Sequence, residues 1–358
     1  AIGRLAARQS LAANAHLVAA LSLTNEPGAG LVVPGHALLE GASIDLGDQA
    51  GDTMEFGSLA FNSTGAVAIR EDGDTLLSKA SAAGSLLLVS TGMVTNDATA
   101  DVAVTGNAEF RGLPIDLGNQ PGDRMSFGSL TFVSTGLVDI VEDDATELAG
   151  ASAADRLRLV SGGAMTSVAG ANLVVVKHAD FLALSIDIGR QAGDWMTFGD
   201  LTFNAPGAVR IHEDDSTHLV GASSAGTLLL ISGGFLDNAA AAEVVVGGHA
   251  NFVAGAIDLG NRAGDRMLFG SLAFNAGGHV AITEDDDTLL AFTSTAGSLK
   301  LISNGNLTSD AAADVTVVNN ADLTAAFIAL GDLPADVMRF GSLTFHSPGA
   351  VTIVEDDD

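Results

Sequence analysis

Apolar and polar residues alternate along short segments of this chain, and polar, glycine-rich turns separate the segments. "SLAFNSTGAVAI" begins at Ser58, "SLLLVSTGMVTN" at Ser85 and "DVAVTGNAEF" at Asp101. Alternation with a period of two is typical of β-strands that bury one face. Glycine, Asn and Asp permit the positive φ angles of sharp corners. The pattern therefore predicts short strands joined by tight turns.

The pattern returns every 71 residues, five times, without insertion or deletion. A constant length indicates units that stay in register with their neighbours, so we expect one continuous repeat with units at about 4–74, 75–145, 146–216, 217–287 and 288–358. Two phenylalanines recur in each unit, and we expect both in the core: Phe56, Phe127, Phe198, Phe269 and Phe340, then Phe61, Phe132, Phe203, Phe274 and Phe345.

Each unit divides into about three similar strand–turn–strand segments, of roughly 24 residues each. Such segments predict the coils of an all-β, right-handed parallel β-helix, or β-solenoid. The alternative is a five-bladed β-propeller, which five equal units would also suit. Propeller blades are antiparallel four-stranded meanders with recurring aromatic motifs. The chain has one Trp and no Tyr, so the solenoid is favoured.

The two ends of the chain differ in how well they keep the pattern. The stretch "RLAARQSLAANAHLVAAL" at 4–21 lacks glycine and has two interpretations, a degenerate coil or an amphipathic helical cap. The last ten residues, "GAVTIVEDDD", repeat "GAVAIREDGD" of 65–74. We therefore expect that the chain was cut from a longer repeat.

Composition limits the classes of partner. The formal net charge is −29, which disfavours nucleic acid and anionic membrane surfaces. No apolar run approaches the ~20 residues of a membrane span. The absence of Cys excludes disulfides and thiolate metal sites.

Two stretches carry a resemblance: "IDLGDQAGDTMEFGSLAFNSTGAVAIREDGDTLL", from Ile44, and "SAAGSLLLVSTGMVTNDATADVAVTGNAEF", from Ser81. They resemble repeats of very large surface proteins of environmental bacteria. More loosely, they are similar to the filamentous-haemagglutinin and autotransporter-passenger class of right-handed β-helices. The resemblance implies secretion, an elongated β-helix and an adhesive or fibre-forming role. It implies no catalytic residue.

An acidic corner closes the strand–turn–strand segment of each unit. Clustered carboxylates are candidate Ca²⁺ ligands, since Ca²⁺ takes six to eight oxygens. The alternative is a solvated corner that maintains solubility and limits sideways association. The candidate calcium residues are Glu71, Asp72, Asp74, Glu142, Asp143, Asp144, Glu213, Asp214, Asp215, Glu284, Asp285, Asp286, Glu355 and Asp356.

Two further registers are interpreted as structural. An Asp ends each "GDQAGD"-type loop (Asp52, Asp123, Asp194, Asp265, Asp336), where it is expected to accept backbone N–H bonds. His exchanges with Asn at His36, Asn107, His178, His249 and Asn320. That exchange indicates a hydrogen-bonding position and argues against a metal ligand.

The sequence thus predicts a non-catalytic structural segment of an extracellular fibre, filament or cell-surface stalk. Self-association end to end, or membership of a longer repeat chain, is expected. The alternative function is an adhesin or binding module for a glycan or surface protein, stabilised by Ca²⁺. No unique catalytic constellation departs from the repeat, and no other cofactor is expected.

Overall fold

A computed structural model describes residues 3–5 and 10–356. The described residues divide into two compact units, one within 1–177 together with 191–194, and one within 178–190 together with 195–358. Both units are all-β parallel solenoids, and together they contain about 16 turns and, within the described residues, no helix. The predicted solenoid is confirmed. The propeller alternative is wrong because neighbouring strands pair in parallel, as β6 does with β8.

Short strands, broken at the predicted turns, make up the first unit. They are β1 (Gly3–Leu5), β2 (Ser10–Leu11), β3 (Ala15–Val18), β4 (Ser22–Asn25), β5 (Gly30–Glu40), β6 (Ser43–Leu46), β7 (Thr53–Asn62), β8 (Ala66–Glu71), β9 (Thr75–Leu77), β10 (Ala80–Ala83), β11 (Ser85–Ser90), β12 (Val94–Asn96), β13 (Asp101–Arg111), β14 (Ile115–Leu117), β15 (Arg124–Val133), β16 (Leu137–Glu142), β17 (Thr146–Leu148), β18 (Ala151–Ser161) and β19 (Ala164–Ser167).

The next strand, β20 (Asn172–Leu182), contains the division between the units. The second unit continues with β21 (Ser185–Ile188), β22 (Trp195–Glu213), β23 (Thr217–Leu219), β24 (Ala222–Ser232), β25 (Phe235–Asn238), β26 (Glu243–Ala254), β27 (Ala256–Leu259), β28 (Arg266–Glu284), β29 (Thr288–Leu290), β30 (Thr293–Ser303), β31 (Asn306–Ser309), β32 (Asp314–Thr324), β33 (Phe327–Leu330), β34 (Val337–His346) and β35 (Val351–Ile353).

The ladder pairs show that one full turn of the solenoid contains fewer residues than the sequence suggested. Paired residues lie 23 positions apart at Ile44 and Val67, 19 at Val67 and Leu86, and 18 at Leu59 and Leu77. The expected length was roughly 24 residues. A 71-residue unit therefore holds somewhat more than three turns.

This turn length places equivalent residues of successive units in different columns of the ladder. Leu59 pairs with Leu77, whose column continues through Leu117 to Ile140. The equivalent of Leu59 in the next unit is Leu130, which pairs with Ala108. Ala108 continues a separate column. Within the first compact unit, Leu59 and its equivalent Leu130 therefore lie in different columns of the ladder.

Both phenylalanine registers lie in the core, with one exception. Phe61, Phe132, Phe203 and Phe274 are fully buried, and Phe56, Phe127, Phe198, Phe269 and Phe340 are nearly so. Phe127, Phe198 and Phe269 each contact a further buried phenylalanine, Phe110, Phe181 or Phe252, as at Phe181 and Phe198, whose ring centroids lie 5.4 Å apart. Phe345 is 53% exposed, because no later turn of the described chain covers it. The prediction that Phe345 lies in the core is wrong.

The glycine-free stretch near the beginning is a coil where it is described. Ser10–Leu11 and Ala15–Val18 are strands that pair in parallel with β5. The helical-cap alternative is therefore wrong for these residues, while 6–9 lie outside the described residues. Nowhere in the described ranges does a helix meet the length and hydropathy required to cross a membrane.

Candidate functional site

The acidic corner begins at a buried glutamate that follows directly from strand alternation. In β8, Val67 and Ile69 point inward, and Glu71 is the next inward position. The same phase buries Glu142, Glu213 and Glu284, which are at most 2% exposed. The prediction of a solvated corner is therefore wrong for these four glutamates. Glu355 is exposed, in the last turn described.

Both oxygens of the buried glutamate have donors within the protein. Oε1 of Glu71 accepts a 2.8 Å hydrogen bond from the backbone N–H of Phe56, and Oε2 accepts one of 2.6 Å from the hydroxyl of Thr75. The three other buried copies repeat both bonds. Their residues are Phe127, Glu142 and Thr146, then Phe198, Glu213 and Thr217, then Phe269, Glu284 and Thr288. Glu355 keeps the bond from Phe340 N–H, at 2.9 Å.

Burial raises the pKa of these carboxyl groups. The pKa of Glu71 and of Glu142 is raised to about 7, and that of Glu213 and of Glu284 to about 8. Desolvation is the largest cause, because the charged form loses its hydration. The threonine and backbone donors oppose the shift, while the neighbouring aspartates add to it.

The aspartate that follows each glutamate also accepts a hydrogen bond from a backbone N–H. Its donor lies two residues before the N–H that bonds the glutamate. Oδ2 of Asp72 accepts a 2.8 Å bond from Met54 N–H, and Asp72 N–H donates to the carbonyl oxygen of Met54 at 2.8 Å. The same pairs are Asp143 with Met125, Asp214 with Met196, Asp285 with Met267 and Asp356 with Met338. Each aspartate thus closes a two-bond ring with the strand that precedes its corner.

The corner exists because two backbone donors of β7 have no strand to pair with. The N–H groups of Met54 and Phe56 point the same way, since alternate residues of a strand face one neighbour. The chain turns at 72–74 at that level, so no strand carbonyl is available there. A buried N–H without an acceptor is costly. The carboxylates of Glu71 and Asp72 supply the missing acceptors.

The last corner position also serves the backbone. Oδ1 of Asp74 accepts a bond from Met93 N–H at 2.8 Å, Ser216 Oγ accepts one from Phe235 N–H at 3.0 Å, and Asp287 Oδ1 accepts one from Asn306 N–H at 2.7 Å. Among the described residues, no three His, Cys, Asp or Glu side chains are grouped so as to hold a metal ion. The calcium hypothesis stays a prediction, and the oxygens named here already have donors.

The aspartate of the "GDQAGD"-type loop caps its own turn, as predicted. Asp52 accepts bonds from Gln49 N–H at 2.8 Å and Ala29 N–H at 3.1 Å. Asn25 Nδ2 also donates to Asp52, at 2.7 Å, and so ties the loop to an earlier turn. Asp123, Asp194 and Asp265 accept the equivalent backbone bond. Asp336 accepts from Ser309 Oγ at 2.8 Å.

The His and Asn register is a hydrogen-bonding position, which confirms its interpretation. His36 Nδ1 lies 3.0 Å from Ser58 Oγ, and His249 Nδ1 lies 2.9 Å from Ser271 Oγ. His178 Nε2 lies 3.1 Å from the hydroxyl of Thr202. Where Asn replaces His, its Oδ1 accepts from the equivalent serine, as at Asn107 and Asn320.

Sequence reasoning missed the burial of the corner glutamates, although a signal was present. The inward phase of Val67 and Ile69 continues without a break to Glu71. Threonine also recurs four positions later, at Thr75, Thr146, Thr217 and Thr288. A buried carboxylate needs such a partner. The recurring Glu-x-x-x-Thr spacing is therefore the sequence signature of this corner.

Comparison with known proteins identifies the repeat type for part of the chain. Residues 64–125 match the family model described as "Repeats of unknown function (DUF5649)". No curated protein and no solved structure matches the chain. The matched segment runs from the first described corner into the second unit of the repeat, so this part of the solenoid is similar to repeats whose function is unknown.

Proposed function

We propose that this chain is a structural segment of an extracellular fibre, filament or cell-surface stalk. The recurrence of the corner bonds in every unit carries this proposal. Glu213 and Asp214 are among the repeated carboxylates that would be candidates for catalysis or metal binding. They accept hydrogen bonds from the backbone N–H groups of Phe198 and Met196. Groups used in this way support the strand ladder.

The mechanical argument follows from the ladder and the core. Parallel strands join each turn to the next through backbone hydrogen bonds, as along β24 and β26. Most inward positions are filled by aliphatic, methionine and phenylalanine side chains with almost no exposure. A turn can separate only when its ladder bonds break and its core surface meets water. Such a fold suits a load-bearing segment.

The extracellular setting and the partners belong to the same proposal. The resemblance to repeats of giant bacterial surface proteins supports secretion. The net charge of −29 supports solubility of a repetitive surface and disfavours nucleic acid as a partner. We expect self-association of the chain end to end, or its membership of a longer repeat chain, since stacked turns can continue through backbone pairing.

Concentration-dependent electron microscopy, with sedimentation velocity on the same samples, tests the proposal. We expect particles of one uniform width whose length increases with protein concentration. Single-molecule pulling should show unfolding in steps, because turns leave the ladder in groups. Compact particles of constant size at every concentration, combined with unfolding at negligible force, would contradict a fibre or stalk.

A further inference from the structure

Phe292 departs from the repeat in a way that the fold does not require. It has a φ of 61°, in the left-handed region that bulky residues rarely occupy. Gly150 and Gly221 stand at the equivalent position with φ of 62° and 55°, and Lys79 stands there with φ of 63°. Glycine meets this backbone requirement without strain. The side chain of Phe292 is also 57% exposed, so it adds little to the core.

The Phe292 ring is held against a second ring. Its centroid lies 4.7 Å from that of His249, with an interplanar angle of 66°. The imidazole is fixed in turn, since its Nδ1 lies 2.9 Å from Ser271 Oγ. An edge-to-face contact of this kind is favourable and directional. The exposed phenyl face therefore has a defined orientation.

This ring borders a shallow groove of about 250 Å³, which we call the Phe292 groove. Arg210, Leu229 and Asn251 lie along it on three neighbouring strands of the ladder, β22, β24 and β26. Arg210 pairs with Leu229 and Leu229 with Asn251 in the ladder, so their Cα atoms lie roughly 5 Å apart. The groove thus offers an aromatic face, an aliphatic floor, and a guanidinium and an amide on either side of that floor.

Neither polar residue of the groove recurs at the equivalent position of another 71-residue repeat. The equivalents of Arg210 are Ala68, Asp139, Ala281 and Thr352. The equivalents of Asn251 are Leu38, Glu109, Asp180 and Asp322. The nearest carboxylate of Arg210, Asp187, is 4.0 Å away, and the side chain of Arg210 is 47% exposed. Its guanidinium therefore keeps donors for a ligand.

Charge narrows the class of ligand. Arg210 repels a cation above the ring, and a chain of net charge −29 repels anions. An uncharged ligand is favoured, with one apolar face for the phenyl ring and several hydroxyls for the donors and acceptors. The groove is smaller than the ~300–1,000 Å³ that drug-sized ligands occupy. A single sugar ring matches these properties.

We propose that the Phe292 groove binds a neutral pyranose residue, whose C–H face stacks on Phe292 while its hydroxyls hydrogen-bond to Arg210 and Asn251. The inference is independent of the fibre role, since it concerns one departure from the repeat. It concerns binding alone, with no chemical step.

Ligand-observed NMR on the full chain tests the proposal. The probes are the methyl glycosides of glucose, galactose, mannose and N-acetylglucosamine. Phe292→Gly restores the residue found at two equivalent positions, so the fold should be at least as stable. We expect saturation transfer from at least one probe, and a loss of at least about tenfold in affinity in Phe292→Gly. Asn251→Asp, the residue of two other units, should weaken binding similarly.

Lys79→Gly is the matched control, because it relieves the same backbone strain in another unit and should leave binding unchanged. The proposal is overturned if no neutral glycoside binds, or if Phe292→Gly binds as the unmodified chain does. Methyl glucuronide binding more tightly than methyl glucoside would also overturn it, because charge would then select the ligand. So would binding of an aromatic dipeptide without any sugar binding.

Discussion

Oε1 of Glu213 accepts a hydrogen bond of 2.8 Å from the backbone N–H of Phe198 inside the core. The other oxygen of Glu213 accepts one of 2.7 Å from Thr217. A protonated glutamate can keep both contacts, since its carbonyl oxygen still accepts and its O–H can donate to the threonine oxygen. The neutral form avoids the cost of a buried charge. Glu213 can therefore be protonated in the folded protein without losing either hydrogen bond.

The first prediction is that the protein becomes less stable as pH rises from 5.5 to 8.5. Below the ordinary glutamate pKa of 4.5, both folded and unfolded chains are protonated at these groups. Above it, only the folded chain keeps the protons, so the free energy of unfolding falls with rising pH. The loss continues through a pKa of about 7 for Glu71 and Glu142 and about 8 for Glu213 and Glu284.

Thermal unfolding at half-unit pH steps measures this effect, at constant and high ionic strength to screen the surface charge. The unfolding temperature should fall steadily across this window and level off above pH 8.5. An unfolding temperature that is constant, or that rises with pH, would show that the glutamates keep ordinary pKa values.

The second prediction concerns Glu213→Gln, which fixes the neutral form. Its side-chain carbonyl can accept from Phe198 N–H, and its amide can donate to the oxygen of Thr217. We expect greater stability than the unmodified chain at pH 8.5, by on the order of 1 kcal/mol or more, and a shallower pH dependence. Thr217→Val should act in the opposite sense, because the carboxylate loses a donor and the neutral form loses less. Matching pH profiles for the three proteins would refute a titrating Glu213.

The strand pattern could be predicted from sequence because it depends on local alternation. Val67 and Ile69 point inward whatever the neighbouring turn contains. The buried position of Glu71 is harder to predict, because a glutamate is almost never fully buried unless it has a partner. The buried Glu71 side chain is stabilised by a hydrogen bond from the backbone N–H of Phe56, fifteen residues earlier. That donor lacks a strand partner only once the turns are stacked.

The exposure of Phe345 was unpredictable for a related reason. A repeat pattern specifies which side chains point inward, and Phe345 keeps the register of Phe274. Burial depends additionally on the turn stacked above. The number of residues in one solenoid turn is likewise set by strand pairing, as between Leu59 and Leu77. The alternation of apolar and polar residues along a strand does not show which residues pair.

The third prediction compares two glycines of positive φ. Gly118 has a φ of 77°, and a Cβ there would overlap the carbonyl oxygen of Val141. Gly170 has a φ of 80°, with no atom within 4 Å of such a Cβ. Gly170→Ala should cost about 1–2 kcal/mol from the left-handed conformation alone. Gly118→Ala should cost roughly 1–3 kcal/mol more, because backbone must move.

Urea unfolding of both variants gives the two free energies of unfolding under one set of conditions. The difference between them isolates the steric part, since the conformational part is shared. Equal losses would mean that the approach of Gly118 to Val141 is looser in solution than in the structure.

The fourth prediction uses two phenylalanines of one register. Phe274 is fully buried, whereas Phe345 is 53% exposed. Phe274→Ala should destabilise the fold by about 3–5 kcal/mol, from lost burial and the cavity that remains. Phe345→Ala should cost less than about 1 kcal/mol. A large loss in Phe345→Ala would show that another copy of the chain covers this ring, and the loss should then depend on protein concentration.

The last prediction concerns calcium at the corners. Asp72, Asp143 and Asp214 each use Oδ2 for a backbone N–H, and the buried glutamates use both oxygens. A bound cation would have to compete with these donors for its ligands. We therefore expect the unfolding temperature to change little between 5 mM CaCl₂ and 5 mM EDTA, conditions well above and below any micromolar Kd.

MgCl₂ at the same concentration controls for ionic strength. A rise specific to Ca²⁺ that EDTA reverses, and that Asp144→Asn reduces, would establish the calcium alternative instead. Asp144 is the informative position, because its Oδ2 accepts from the hydroxyl of Ser126, at 2.8 Å, in an exposed hydrogen bond that a cation could displace.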